Sequence, residues 1–544
     1  MSLFLAAAVL VFAAPGEEPG HNHGPQLGKV SFATTCNAQA DALVQRGLGW
    51  LHSFEYDPAA KSFSEAAAAD PSCGIAHWGV AVSYYHPLWA PPTAAELEKA
   101  NAALAKAKAA GAKSARERDY IAAIDTFYRG SDRLDHKTRA AAYSAALEQL
   151  HKRYPTDREA AVLYALSLIA LGTMDKDPEF SKEKQAGAIL NTVLAEAPDH
   201  PGVAHYLIHN FDYPPLAGLA LAAARGYASI APDSAHAQHM PSHIFTRLGL
   251  WEESIKSNIK SAASSVAYAK SVGLAGADKE QLHAMDYLAY AYLQMGQDAD
   301  AQRVLDELNA LKRADPPVFS VAYAATAIPA RLTLERRQWR EAAALKVRDN
   351  VLALAPLANF GWAEAHIHFA RAIGAARSGD RTSARQEVAT LRAIEDSLKI
   401  PPGTYDWKTQ VAIERQIAEA WLAYADGRKD DSVRIMRAAA DLDDATEKHP
   451  VTPGAILPAR EQLGELLLEL GRPAEALAEF EASLKRAPKR LAGVYGAARS
   501  ARLAGDTVKA GPYYAELREL TKSSDGARAE VKEARSFRAE TAAR

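Results

Sequence analysis

Cysteine is nearly absent, with only Cys36 and Cys73 in 544 residues. Without a CxxC pair, thiolate zinc ribbons and thioredoxin-type redox motifs are excluded. A surplus of either charge is missing too: 63 Lys and Arg stand against 66 Asp and Glu, a formal −3. That balance gives no reason to expect nucleic acid or an anionic membrane as partner. No central apolar run reaches the roughly eighteen residues of a spanning helix. Period-two strands do not stand out, and no GxSxG, HExxH, Walker A or dinucleotide fingerprint occurs.

The apolar start "MSLFLAAAVLVFAAPG" ends in small residues and precedes "EEPGHNHGPQLG". It reads as a secretory signal over 1–14 followed by a flexible linker over 15–34, although the usual positive n-region is missing; a disordered end is the alternative. Export would place the chain in the periplasm or outside the cell. Cys36 and Cys73 each precede a predicted helix, so they are disulfide candidates in an oxidising compartment, with two buried thiols as the alternative.

Helical periodicity dominates, and one phrase recurs: a turn Gly, apolar and Ala positions, an aromatic, then a Pro. "LGRPAEALAEFEASLKRAPKR" (470–490) is its clearest copy, and "YDPAAKSFSEAAAADPS", "LGLWEESIKSNIKSAA", "MGQDADAQRVLDELNALKRADP" and "AGDTVKAGPYYAELREL" are others. These resemble tetratricopeptide repeats, 34-residue helix-turn-helix units. The resemblance implies an all-α, right-handed superhelical solenoid of antiparallel helix pairs. We expect the main solenoid over 35–400, a helical connection over 401–454, a C-terminal repeat pair over 455–525 and a tail over 526–544. Interruptions fall near 173–184 and 262–280, and "SLKIPPGTYDW" and "KHPVTPGA" are candidate breaks or lids. With "DPSCGIAHWGVAVSY", "HYLIH", "HMPSHIFTRLG" and "LPAREQLGELLLELG", the chain also resembles bacterial tetratricopeptide-repeat proteins of largely unassigned function.

Histidine carries the sharpest signal. Of 17 in the chain, six fall within 200–243: His200, His205, His209, His236, His239 and His243. His205 and His209 recur as His239 and His243, one 34-residue period later, so two i,i+4 pairs occupy equivalent places on neighbouring first helices. The resemblance implies that the second, fifth and ninth positions of a first helix face the concave groove. His236 then takes the second position, while the next unit brings His283, Asp286 and Tyr290 to the same three places. Nitrogen donors with a carboxylate and without thiolate suit a transition metal such as Zn, Cu or Fe, as one ion or two. The expected metal set is therefore His205, His209, His239 and His243, with His236, His283 and Asp286 as further ligands or supporting partners. The competing reading is a polar, hydrogen-bonding groove. Pro241 should kink its helix.

Asp212, Tyr213, Arg247, Tyr287, Tyr290, Arg460 and Glu461 are candidate ligand contacts in the groove; Glu461 and Glu465 share one helix face beside Arg460. His366 and His368 are spaced i,i+2, so their side chains diverge. His52, His77 and His86 lie near the first two repeats and read as core or groove residues. Two functions follow. One is an exported scaffold that binds a peptide, protein or small molecule in its groove and a metal through its His cluster. The other is a metal-dependent oxidoreductase or hydrolase that uses the same cluster with an open coordination position.

Overall fold

The computed structural model describes residues 25–88, 91–346, 354, 360–401 and 404–537. The expected signal segment and the first part of the linker lie outside these residues.

Antiparallel helix pairs stack along the chain, from Ala38–His52 with Tyr56–Ala69 to Leu491–Leu503 with Thr507–Leu520. Among the described residues no strand occurs, and β pairing is limited to one isolated bridge, Ala277 to Ala314. The architecture is the all-α tetratricopeptide superhelix. Local chemistry starts many of its helices: Asn37, Asp135 and Ser234 accept a backbone N–H three residues on, and Thr93 and Glu96 form a reciprocal capping box. Turn glycines Gly249, Gly296, Gly471 and Gly505 end first helices at φ 65–76°, the left-handed region where a Cβ is unfavourable.

Small residues let neighbouring units close on an aromatic ring. A Cβ at Gly47 or Gly79 would come within 2.7 or 2.3 Å of Phe63, and one at Gly464 or Gly496 within 2.8 or 2.2 Å of Phe480. The recurring Gly, Ala and aromatic letters are thus packing letters: each ring fills a slot that a side chain on the facing helices would close.

One apolar core runs from Phe32 to Phe245 and a second from Trp251 to Ala510. The superhelix also curls back on itself. Trp251 Nε1 donates to the Lys489 carbonyl at 2.8 Å, and Arg528 holds Asp298 through its guanidinium.

Several expected segments have definite contacts. Residues 25–34 have no regular secondary structure yet are not a free linker, since Leu27 and Phe32 are buried and Lys29 N donates to Asp199 O. The expected connection 401–454 contains a helix pair like the others, Trp407–Ala425 on Lys429–Asp444. The expected tail includes the helix Ala529–Ser536, which packs on Thr507–Leu520. Cys36 and Cys73 form a disulfide with Cα atoms 5.1 Å apart, so the free-thiol alternative does not hold.

Candidate metal centre

Three consecutive first helices converge where the two cores meet. Helix Pro201–Asn210 supplies His205 and His209. The next first helix is split at Met240 into Ala235–His239 and Pro241–Arg247; Pro241 has no N–H to continue the ladder. It supplies His236, His239 and His243. Helix Lys279–Gln294 supplies His283 and Tyr287.

These six imidazoles sort into two triads, His205/His209/His236 and His239/His243/His283, each offering ligand nitrogens within 4.8 Å of one another. Each triad joins an i,i+4 pair on one first helix to a His on the following one. The repeated pairs therefore do not form a single four-His group. Within the first triad, His205 Nε2 lies 3.1 Å from His209 Nε2 and 3.2 Å from His236 Nε2; within the second, His239 Nε2 lies 3.0 Å from His243 Nε2. Nitrogens about 2.0–2.1 Å from a tetrahedral ion would be spaced roughly 3.3 Å apart.

What lies behind each ring assigns its tautomer. His205 Nδ1–H donates to the His52 carbonyl at 2.6 Å, and a carbonyl only accepts. His239 Nδ1–H donates to Asn258 Oδ1 at 2.7 Å, the amide being oriented by its own N–H bond to Ser254 O. His243 Nδ1–H donates to Asp212 at 3.1 Å, and His236 Nδ1–H faces Glu280 at 3.4 Å. In the neutral rings Nε2 is therefore a bare lone pair. Two pairs of such lone pairs, His239 with His243 and His205 with His236, point at each other across 3.0 and 3.2 Å. That arrangement is repulsive unless a cation lies between them.

Between His239 and His243 a proton is a poor candidate for that cation. Burial, reinforced by the neighbouring imidazoles, pushes His205, His209, His239 and His283 well below the ordinary His range. Burial takes His243 down to about 4 although Asp212 pulls it upward. Neutral nitrogens held by outer carboxylate, amide and carbonyl acceptors are the arrangement that metal-ligating histidines show.

Asp212 is the hub behind the second triad. Besides His243 it accepts from Arg247 Nε at 2.8 Å and Lys448 Nζ at 2.9 Å. Burial opposes its ionisation, but Lys448 and Arg247 hold the carboxyl well below the usual range. Arg247 reaches on to Glu447, so the non-helical stretch around 445–458 is buckled onto the His-bearing helices. Tyr287 places its hydroxyl 3.3 Å from His243 Nδ1 and 3.4 Å from Nε2, and burial keeps it a protonated phenol. Phe54 walls the first triad, its ring centroid 4.4 Å from His205 and 5.4 Å from His209. It sits at φ 56°, the left-handed corner that glycine takes in other units, at a cost of order 1–2 kcal/mol.

Other candidates lie elsewhere. Asp286 does not join the ligands, because its buried carboxylate pairs with Arg331 of the next first helix. Tyr213 packs on Phe180. Tyr290 accepts from Arg490, which also pairs with Glu461 and Glu335 in a buried network. Arg460 turns away from Glu461 to Asp441, Asp444 and Glu479. His366 bonds Thr326 and His368 bonds Glu387, so they do diverge.

Sequence reading missed Asn258, Glu280, Lys448 and the His52 carbonyl. Glu280, one turn before His283, had a local signal; the others had none. It also left unassigned a third grouping, in which Glu159 bridges His52 at 2.8 Å and His200 at 2.7 Å. Here the carboxylate joins the rings directly and Tyr206 bonds His52 Nδ1 at 2.9 Å, so hydrogen bonds satisfy the His52 ring without an ion. This bridge fixes the segment whose carbonyl orients His205.

No family model and no curated protein matches the chain. Among solved structures, a human IFIT1 dimer with m7Gppp-AAAA is similar at 14% identity, over 82% of this chain and 90% of that one, with a TM-score of 0.36. The P58(IPK) TPR domain is similar at 12% identity, over 87% of this chain and 100% of that one, with a TM-score of 0.22.

Proposed function

We propose that this chain is a metal-binding tetratricopeptide solenoid in which each His triad holds one transition-metal ion. The observation that carries this reading is the set of opposed Nε2 lone pairs, locked in place by acceptors behind Nδ1. A groove that is merely polar would let each ring donate to its neighbour. The wider scaffold role, a concave surface that takes a peptide, protein or small-molecule ligand, rests on repeat architecture alone. The metalloenzyme reading draws on a specific feature: three protein ligands per ion leave a coordination position open, whereas structural sites are closed. Export is proposed from the apolar leader and is supported by the Cys36–Cys73 disulfide, which suits an oxidising compartment.

Elemental analysis of tag-free protein dialysed against Cu or Zn tests this directly. Two ions per chain are expected, one after His239→Ala with His243→Ala, and one after His205→Ala with His209→Ala. His366→Ala with His368→Ala should keep both. The ordinary His pKa of about 6.5 would predict metal loss just below neutrality. The lowered values of the buried rings place it further down, so uptake should persist at pH 6 and fail toward pH 4. No stoichiometric uptake by the wild type, or equal uptake by the His239/His243 variant, contradicts the reading.

A further inference from the structure

We infer that the two triads form one coupled dicopper centre, whose Cu(II) ions share a bridging oxygen ligand: hydroxide at rest, and peroxide once the Cu(I) pair has taken up dioxygen. This rests on the reading that each triad holds an ion.

The triads adjoin. His209 of the first and His243 of the second have ring centroids 5.9 Å apart, and His236 and His239 lie 6.4 Å apart. Ions in adjoining cups so placed are within reach of a common bridge, as in two-metal sites whose ions stand roughly 3.5–4 Å apart. The bridging ligand must be small. His205 and His239 are fully buried and none of the six residues is more than 7% exposed, so an organic molecule cannot reach the space between them.

Charge selects the metal. All six donors are imidazoles, and no carboxylate lies in either triad. Three nearby acids are occupied outside: Asp212 by Arg247 and Lys448, Asp286 by Arg331, and Glu280 beside the His236 Nδ1–H and the Lys279 charge. Two divalent ions would thus bring four positive charges into a buried site without an anionic ligand, which is strongly unfavourable. Two remedies exist: an anion enters between the ions, or the ions become monovalent. Of Zn, Cu and Fe, only copper has an accessible monovalent state that imidazole stabilises. A hydrolytic zinc pair would ordinarily draw on a carboxylate between its ions, and the triads provide none.

The electron count closes without a further reductant. Each Cu(I) gives up one electron, dioxygen takes both, the O–O bond drops from double to single, and no proton moves. The bridge then supplies the two negative charges that the pair of Cu(II) ions lacks. Tyr287, its hydroxyl 3.4 Å from His243 Nε2, is positioned as a hydrogen-bond donor beside the second triad.

The test uses the wild-type chain loaded with copper. With Cu(II), elemental analysis should find two ions per chain while the electron paramagnetic resonance spin count falls far below two, because bridged Cu(II) ions pair their spins. His239→Ala with His243→Ala, left with the first triad, should show one copper and one full spin. With Cu(I) loaded anaerobically and dioxygen then admitted in measured amounts, oxygen uptake should reach one O2 per two copper ions. Two coppers with two full spins would overturn the coupled centre while leaving metal binding intact. So would uptake of one O2 per four coppers, the stoichiometry of reduction to water by separate ions. Fewer than two coppers per chain would instead overturn the proposed function itself.

Discussion

Stripped of metal, the protein is expected to melt at a steeply falling temperature as the pH drops from 6.5 to 4, while the loaded protein resists until a lower pH. The sign follows from the buried rings. Unfolding frees them to take up protons at their ordinary value near 6.5, whereas in the folded chain they stay neutral to much lower pH. Their contribution is therefore intact above 6.5 and is lost progressively as pH falls toward the folded value. For His243 alone, moving from 6.5 to about 4 corresponds to about 3 kcal/mol. His205, His209, His239 and His283 move in the same direction and add to this loss. Asp212 does not share this window, since its depressed carboxyl matters only below its ordinary value near 3.9. Melting curves followed by circular dichroism at several pH values, with and without chelator, measure the effect. A metal-free melting temperature that stays flat from pH 7 to 4.5 would show that the rings are not held neutral.

Asp212→Asn is expected to have the second large effect. The variant keeps the shape but removes the charge that Arg247, Lys448 and His243 share. Lys448 then loses its carboxylate partner while Arg247 keeps Glu447, a loss of about 3–5 kcal/mol for a broken buried pair. His243 also loses the acceptor that fixes its tautomer, and metal affinity at the second triad should fall roughly 10–100-fold. The first triad has its own supports, the His52 carbonyl and Glu280, and should keep its ion at wild-type affinity. Competition titration with a chromophoric chelator separates the two sites. Equal weakening at both sites would mean that Asp212 acts through global stability instead of through His243.

The fold was legible because repeat packing writes itself locally. Gly47, Gly79 and Phe63 must be small, small and aromatic for one ring to fill the slot, and the same demand recurs at Gly464, Gly496 and Phe480. The triads were half legible. A 34-residue repeat of an i,i+4 pair places imidazoles in register, and helical position brings His236 and His283 to the same face. How six rings divide depends on the offset between successive first helices, which sequence does not display: His236 crosses to the preceding pair and His283 does likewise. Asp286 shared the face but not the site, because Arg331, 45 residues on, captures it. Lys448 reaches Asp212 across 236 residues, through a superhelix that curls back, and a backbone carbonyl such as that of His52 has no letter at all. Pairing between distant units is set by curvature, whereas pairing within a unit is set by spacing.

Anomalous X-ray scattering from crystals of the copper-loaded protein, collected on either side of the copper absorption edge, tests the central claim most directly. The account predicts two peaks per chain, one bound by His205, His209 and His236 and one by His239, His243 and His283, with nothing comparable at His52, Glu159 and His200. A map without a peak at either triad, or with a single ion shared by His205, His209, His239 and His243, would contradict it.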